Sequence, residues 1–143
     1  SNAALYGHLD CLKYAYENGC PWDEGICANA AMQGHLDCLK YARENGCPWD
    51  EAICLNAAEG GHLECLKYAH ENGCPWDEYV CDSAAAFGHL NCLKYLHENG
   101  CPVPKNWGYV NPKCLVYVKF IKRKQLRKIM KPLRRLSKRM RKN

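Results

Sequence analysis

The sequence predicts an all-α solenoid of tandem helix–turn–helix units, and three observations carry that expectation. The octapeptide Gly-His-Leu-x-Cys-Leu-Lys-Tyr begins at Gly7, Gly34, Gly61 and Gly88, a constant step of 27 residues. Within each step the apolar residues fall at helical spacing in two short runs. Helix-start and helix-stop residues bracket both runs: Asp before the first, Gly between them, and Asn-Gly followed by Pro after the second. Fixed-period self-similarity of this kind marks architectures in which each unit buries its face only against its neighbours.

Asp23, Asp50 and Asp77 stand where the first helix of a unit needs an N-cap, and each is followed by Glu in the positive first turn. From there Ile26, Cys27, Ala30 and Ala31 form a stripe of small apolar residues. Gly34 and its equivalents supply a left-handed stop. The second helix runs from about Leu36 and turns Leu36, Leu39 and Ala42 inward; Asn45-Gly46 ends it and Pro48 prevents its resumption. Residues Ser1-Asn2-Ala3-Ala4-Leu5-Tyr6-Gly7 match Ala28-Asn29-Ala30-Ala31-Met32-Gln33-Gly34, so units start near Ser1, Asp23, Asp50 and Asp77. The chain opens inside a unit, as the end of a longer array would. Helices this short cannot persist alone, and stacking must stabilise them.

After Cys101-Pro102 the register fails. Val103-Pro104-Lys105 replaces Trp-Asp-Glu, and Pro112 breaks the expected helix. Cys114-Leu115-Val116-Tyr117 nevertheless echoes Cys92-Leu93-Lys94-Tyr95 at a step of 22. This stretch is expected to be the second helix of a degenerate C-terminal cap that continues into the tail. Repeats then occupy residues 1–112, and the cap and tail residues 113–143.

These units resemble the ankyrin repeat. The resemblance rests on Ala30-Ala31-x-x-Gly34-His35-Leu36-x-x-Leu39-Lys40-Tyr41 and on Asn45-Gly46, and it recurs over residues 1–101. Two features depart from it. The ankyrin unit is longer, about 33 residues, and its Thr-Pro-Leu-His start is missing from a chain that contains no Thr. The deficit falls where ankyrins make a β-hairpin finger. A compact Cys-Pro-Trp-Asp-Glu link replaces the finger, with Trp22, Trp49 and Trp76 expected to stack as a ladder. The unit is similar to short ankyrin variants of large DNA viruses and some protists. The resemblance implies protein binding by a concave surface of first helices, and a histidine after each Gly that secures the turn between helices.

Charge is divided sharply along the chain. Residues 1–104 hold five basic and all fifteen acidic side chains, a balance of −10, whereas residues 105–143 hold fifteen basic side chains and no acid. An acidic body thus carries a basic tail. No apolar run approaches the ~20 residues of a membrane-spanning helix, and no signal-peptide pattern opens the sequence.

Twelve cysteines would suit a disulfide framework in a small secreted chain. Here they recur in fixed slots: Cys11, Cys38, Cys65 and Cys92 in second helices, Cys20, Cys47, Cys74 and Cys101 after them, and Cys27, Cys54 and Cys81 in first helices. Copies on stacked units should lie about 8–10 Å apart, beyond the ~7 Å limit for a disulfide. Cys38 and Cys47 would be about 13 Å apart along a helix. Reduced, core-filling thiols are the expectation, which points to the cytoplasm or nucleus.

His35-x-x-Cys38 and its copies place His and Cys one turn apart, as half of a zinc site would. The second half is missing from the pattern, and the turn-securing histidine accounts for the same residues. No metal or other cofactor is expected. Catalysis finds little support: Ser occurs only at positions 1, 83 and 137, and no nucleophile elbow or phosphate-binding glycine loop is present. A Cys–His dyad would occur four times over, whereas active sites are singular. The sequence therefore predicts neither an enzyme nor a small-molecule substrate.

Differences between units point to recognition. The first-helix positions Gly25, Ala52 and Tyr79, then Ala28, Leu55 and Asp82, then Met32, Glu59 and Ala86, vary at spacings of three and four. They therefore share one face. Gln33, Gly60 and Phe87 vary beside them. This face is the expected site for another protein; drift at exposed positions would produce the same variation. In the tail, Leu126, Ile129, Met130, Leu133, Leu136 and Met140 form an apolar stripe. Nearly all of the basic residues from Lys124 to Lys142 lie opposite it (Lys124, Arg127, Lys128, Lys131, Arg134, Arg135, Lys138, Arg139, Arg141 and Lys142), and Lys122 and Arg123 add basic charge just before them. Pro132 is expected to kink or divide this helix. The stripe can pack on the last repeat, meet anionic membrane or an acidic groove, or leave the charge to bind nucleic acid. A disordered, solvated tail is the fourth reading. Apolar packing near Leu115–Ile121 with an exposed basic end is favoured.

Overall fold

The computed structural model describes residues 8–23 and 25–143, so the unit start at Ser1 lies outside the described residues. Eight helices and no strand occur among them: α1 (Leu9–Glu17), α2 (Gly25–Gln33), α3 (Leu36–Glu44), α4 (Glu51–Gly60), α5 (Leu63–Glu71), α6 (Glu78–Ala86), α7 (Leu90–Glu98) and α8 (Pro112–Arg141). First helices α2, α4 and α6 pack side by side, and second helices α1, α3, α5 and α7 form a parallel row. Within each unit the first helix packs on the second. The fold is the expected helix–turn–helix solenoid.

Local chemistry starts and stops the helices as the repeat requires. Asp50 caps α4 by accepting from Ala52 N at 3.0 Å, and Asp77 caps α6 by accepting from Tyr79 N at 2.9 Å. Gly34, Gly61 and Gly88 turn the chain between helices with φ of +76°, +74° and +79°. Ile53, Cys54, Ala57 and Ala58 of α4 are fully enclosed, and so are their counterparts on α2 and α6. Their small side chains let neighbouring first helices approach closely. Leu39, Leu66 and Leu93 supply the larger core volume from the second helices. Burying each of them contributes roughly 2–3 kcal/mol.

The repeated His and the Lys-Tyr pair tie one unit to the next. The His62 ring lies against Gly34 of the preceding turn, and His89 lies against Gly61. His89 Nε2 donates to the Glu59 carbonyl at 2.9 Å. The histidine thus secures the neighbouring unit's turn. Lys13, Lys40, Lys67 and Lys94 each hold an ammonium 5.5–5.9 Å from the ring of the tyrosine one unit on, ending with Tyr117.

The C-terminal end replaces a full unit with a loop and one long helix. Residues 101–111 contain no helix, and Asn111 caps α8 by accepting from Lys113 N at 3.0 Å. Pro112 is therefore a helix start, where its missing N–H costs nothing. Asn111 also takes the place of the repeated histidine, lying against Gly88 as His89 lies against Gly61. Cys114, Val118 and Ile121 bury one stripe of α8 against α6 and α7. The packing falls within the expected stretch, but Leu115 and Val116 are exposed. Pro132 sits inside α8 without dividing it.

Candidate functional site

The candidate face is what remains of α2, α4 and α6 after each has buried its Ile/Val-Cys-x-x-Ala-Ala stripe. Gly25, Ala28 and Met32 on α2, Ala52, Leu55 and Glu59 on α4, and Asp82 and Ala86 on α6 are half-buried. Gln33, Tyr79 and Phe87 are exposed. The face is uneven along the array. Tyr79 is 64% exposed and Phe87 58%, so the α6 end presents two aromatic rings to solvent. Leu55, by contrast, packs against the core.

Two of the varied positions serve the fold. Asp82 accepts from Gly108 N at 3.0 Å and so pins the 101–111 loop to α6. Gly60 has no room for a side chain, since a Cβ there would meet the Met32 carbonyl and the His62 ring. Both positions thus also take part in the packing between neighbouring segments.

The tryptophans do not stack on one another. Trp22 stacks on Tyr16 at 4.5 Å and meets the edge of Tyr41 at 6.3 Å. Trp76 stacks on His70 at 3.5 Å and meets the edge of Tyr95 at 6.3 Å. Trp49 lies under the Arg43 guanidinium at 5.0 Å and meets Tyr68 at 6.3 Å. Each indole is thus a wedge between a second helix and the tyrosine of the next unit, in place of the expected indole ladder.

The thiols also pair in a way that spacing did not reveal. Cys27 and Cys47 come within hydrogen-bonding reach, as do Cys54 with Cys74 and Cys81 with Cys101. Each of these contacts joins residues 20 apart, whereas Cys38 and Cys47, only nine apart, are not such a pair. All described cysteines are free thiols. Contact with the partner thiol, and then burial, raises the pKa of Cys27, Cys54 and Cys101. Burial pushes Cys38, Cys65 and Cys92 up to about 11. A neutral, enclosed thiol is neither nucleophile nor ready ligand. Cys11 and Cys20 depart from the core-filling expectation: both are exposed, at the end of the described stack. No group of three His, Cys, Asp or Glu that could hold a metal gathers among the described residues.

The basic residues proposed for anions, from Lys122 to Lys142, are all exposed along α8. So are Leu126, Ile129, Met130, Leu133, Leu136 and Met140, which touch no repeat closely enough to be covered. Of the open readings for the tail, the structure contains a helix whose stripe does not lie on the last unit. No helix among the described residues is long and apolar enough to cross a membrane.

The model of the ankyrin repeat family (many copies) matches residues 27–70 and 54–97. No curated protein matches the sequence. Among solved structures, the chain is similar to the crystal structure of the human ASB11 ankyrin repeat domain, at 22% identity and a TM-score of 0.61. The match covers 69% of this chain and 52% of that one, so the chain spans about half of the domain it resembles. At that identity the likeness speaks for the fold. Repeat register, helix order and family match agree: this chain belongs to the ankyrin repeat family.

Proposed function

We propose that the chain is a recognition module that binds another protein through the varied face of its first helices. Ankyrin repeats generally serve protein–protein interaction. The observation that carries the finer reading is the exposure of Tyr79 and Phe87 at varied positions on one end of that face. Exposed aromatic side chains offer large contact area at small entropic cost and commonly anchor interfaces. Gly25, Ala28, Met32, Gln33, Ala52, Leu55, Glu59, Asp82 and Ala86 would complete the surface. The recognition unit is residues 1–112, with 113–143 as cap and tail. No catalytic step, cofactor or small-molecule substrate enters this reading. Reduced thiols throughout the core favour a reducing compartment, cytoplasm or nucleus.

A second reading has its own observation, the unbroken basic and amphipathic exposure of α8 beyond Gln125. Such a helix fits nucleic acid or an anionic membrane. Affinity capture with three proteins separates the readings: the intact chain, Tyr79→Ala/Phe87→Ala, and a chain ending at Gln125, which keeps the buried residues of α8. A partner held by the first-helix face survives truncation, resists moderate salt and is lost with the double substitution. A partner lost on truncation, and released roughly tenfold per doubling of salt, belongs to the tail.

A further inference from the structure

Val103 occupies the position that Trp22, Trp49 and Trp76 hold in the three preceding steps. The two rings that contact the indole, one by stacking and one edge-on, are nevertheless still in place. His70, on which Trp76 stacks, and Tyr95, which Trp76 meets edge-on, stand 6.2 Å apart with rings at 80°. Tyr16, on which Trp22 stacks, and Tyr41, which Trp22 meets edge-on, stand 6.2 Å apart at 86°. Their counterparts at the last step, His97 and Tyr117, stand 5.7 Å apart at 79°. The frame is preserved and its wedge is gone.

A groove of about 830 Å³ opens there, lined by His97, Val103, Tyr117 and Phe120 among others. Phe120 meets His97 edge-on at 6.4 Å and 86°, so no ring stacks on His97 as Trp76 stacks on His70. His97 Nδ1 and the Tyr117 hydroxyl share a 2.9 Å hydrogen bond that fixes both rings. Burial, followed by the nearby Lys124 ammonium, holds the His97 pKa below the usual histidine range. The ring therefore presents a neutral aromatic face. The rim is basic: Lys94, Lys124 and Lys128 line the groove and Glu98 is its one acid. Lys94 and Lys124 already lie over the Tyr117 and Phe120 rings.

We propose that this groove is a docking site for an acidic segment of a partner protein that stacks a tryptophan side chain on the His97 ring, edge-on to Tyr117. The molecule itself shows what such a frame accepts, since at two equivalent steps it holds an indole stacked on the ring equivalent to His97 and edge-on to the tyrosine equivalent to Tyr117. In each internal case the indole precedes Asp-Glu in sequence. A segment of that character would place its carboxylates among the three rim lysines. The site is separate from the first-helix face, because Tyr79 and Phe87 do not line it.

The test uses the full chain and a fluorescein-labelled peptide, Gly-Pro-Trp-Asp-Glu-Gly, followed by anisotropy. Saturable binding is expected, weakened at least about tenfold when the peptide's Trp is replaced by Ala. Val103→Trp fills the slot from within; it should abolish peptide binding while raising the melting temperature. If Val103→Trp does not melt cooperatively, Lys124→Glu/Lys128→Glu supplies the decision, since it alters only exposed side chains and should weaken binding severalfold. Tyr79→Ala/Phe87→Ala should bind the peptide as the parent does, which keeps this site distinct from the first-helix face. Equal affinity for the Trp and Ala peptides would reduce the interaction to charge and overturn the proposal. So would undiminished binding by a folded Val103→Trp, or competition at this slot by single-stranded oligonucleotide in preference to the peptide.

Discussion

Gly61 and Gly73 share a backbone conformation, with φ of +74° and +83°, and differ in what surrounds them. An added Cβ at Gly73 meets nothing within 4 Å, whereas at Gly61 it runs into the His89 ring. Gly73→Ala therefore incurs only the left-handed penalty, about 1–2 kcal/mol. Gly61→Ala must also displace a ring that holds the Glu59 carbonyl, and its total loss should reach about 3 kcal/mol or more. Urea unfolding of both variants measures the difference. Equal losses would show that the histidine moves aside freely and does not lock the turn.

At the scale of a helix, α8 does two unlike things along one length. Its 30 residues extend about 45 Å, yet only Cys114, Val118 and Ile121 are enclosed. Pro132 removes the N–H that would have paired with the Lys128 carbonyl. This is tolerated because the helix is solvated there and water can take the bond. A chain ending at Gln125 should melt within about 2 °C of the intact protein, because the lost residues bury nothing that packs. A chain ending at Asn111 removes Val118 and Ile121 and uncovers the last unit's core. Its loss should be at least about 4 kcal/mol at roughly 1.5–3 kcal/mol per buried side chain. Thermal and urea unfolding of the two truncations check this; a large loss at Gln125 would mean the apolar stripe is covered in solution.

Across the whole molecule, thiols report the integrity of the stack. Ten of the twelve cysteines are buried and two, Cys11 and Cys20, are exposed. An aromatic disulfide reagent at mildly alkaline pH should therefore label two thiols at once and the remaining ten only as the array opens. Raised pKa values reinforce the protection, since about 11 at Cys38, Cys65 and Cys92 leaves little thiolate. Stacked units interact only with their neighbours, so opening from the ends is possible without global unfolding. Fast labelling of more than two thiols in the native protein would place such fraying within reach of ordinary conditions.

The 27-residue step was enough to set the helices, their caps, the class of fold and the wall-forming role of most cysteines. Those features depend on period, cap and stop signals within a few residues of each other, which a linear reading can see. Even the shortened last step was visible, because Cys114 and Tyr117 kept their spacing. Occupancy was decided elsewhere. Asp82 meeting Gly108, Gly60 meeting the Met32 carbonyl, Cys27 meeting Cys47, and the indoles wedging against the next unit's tyrosines all join residues about 20–30 apart. Which exposed-looking position is spoken for, and which slot stands open beside Val103, follows from how one unit lands on the next. That docking is a property of three-dimensional packing between copies, and no single copy of the repeat contains it.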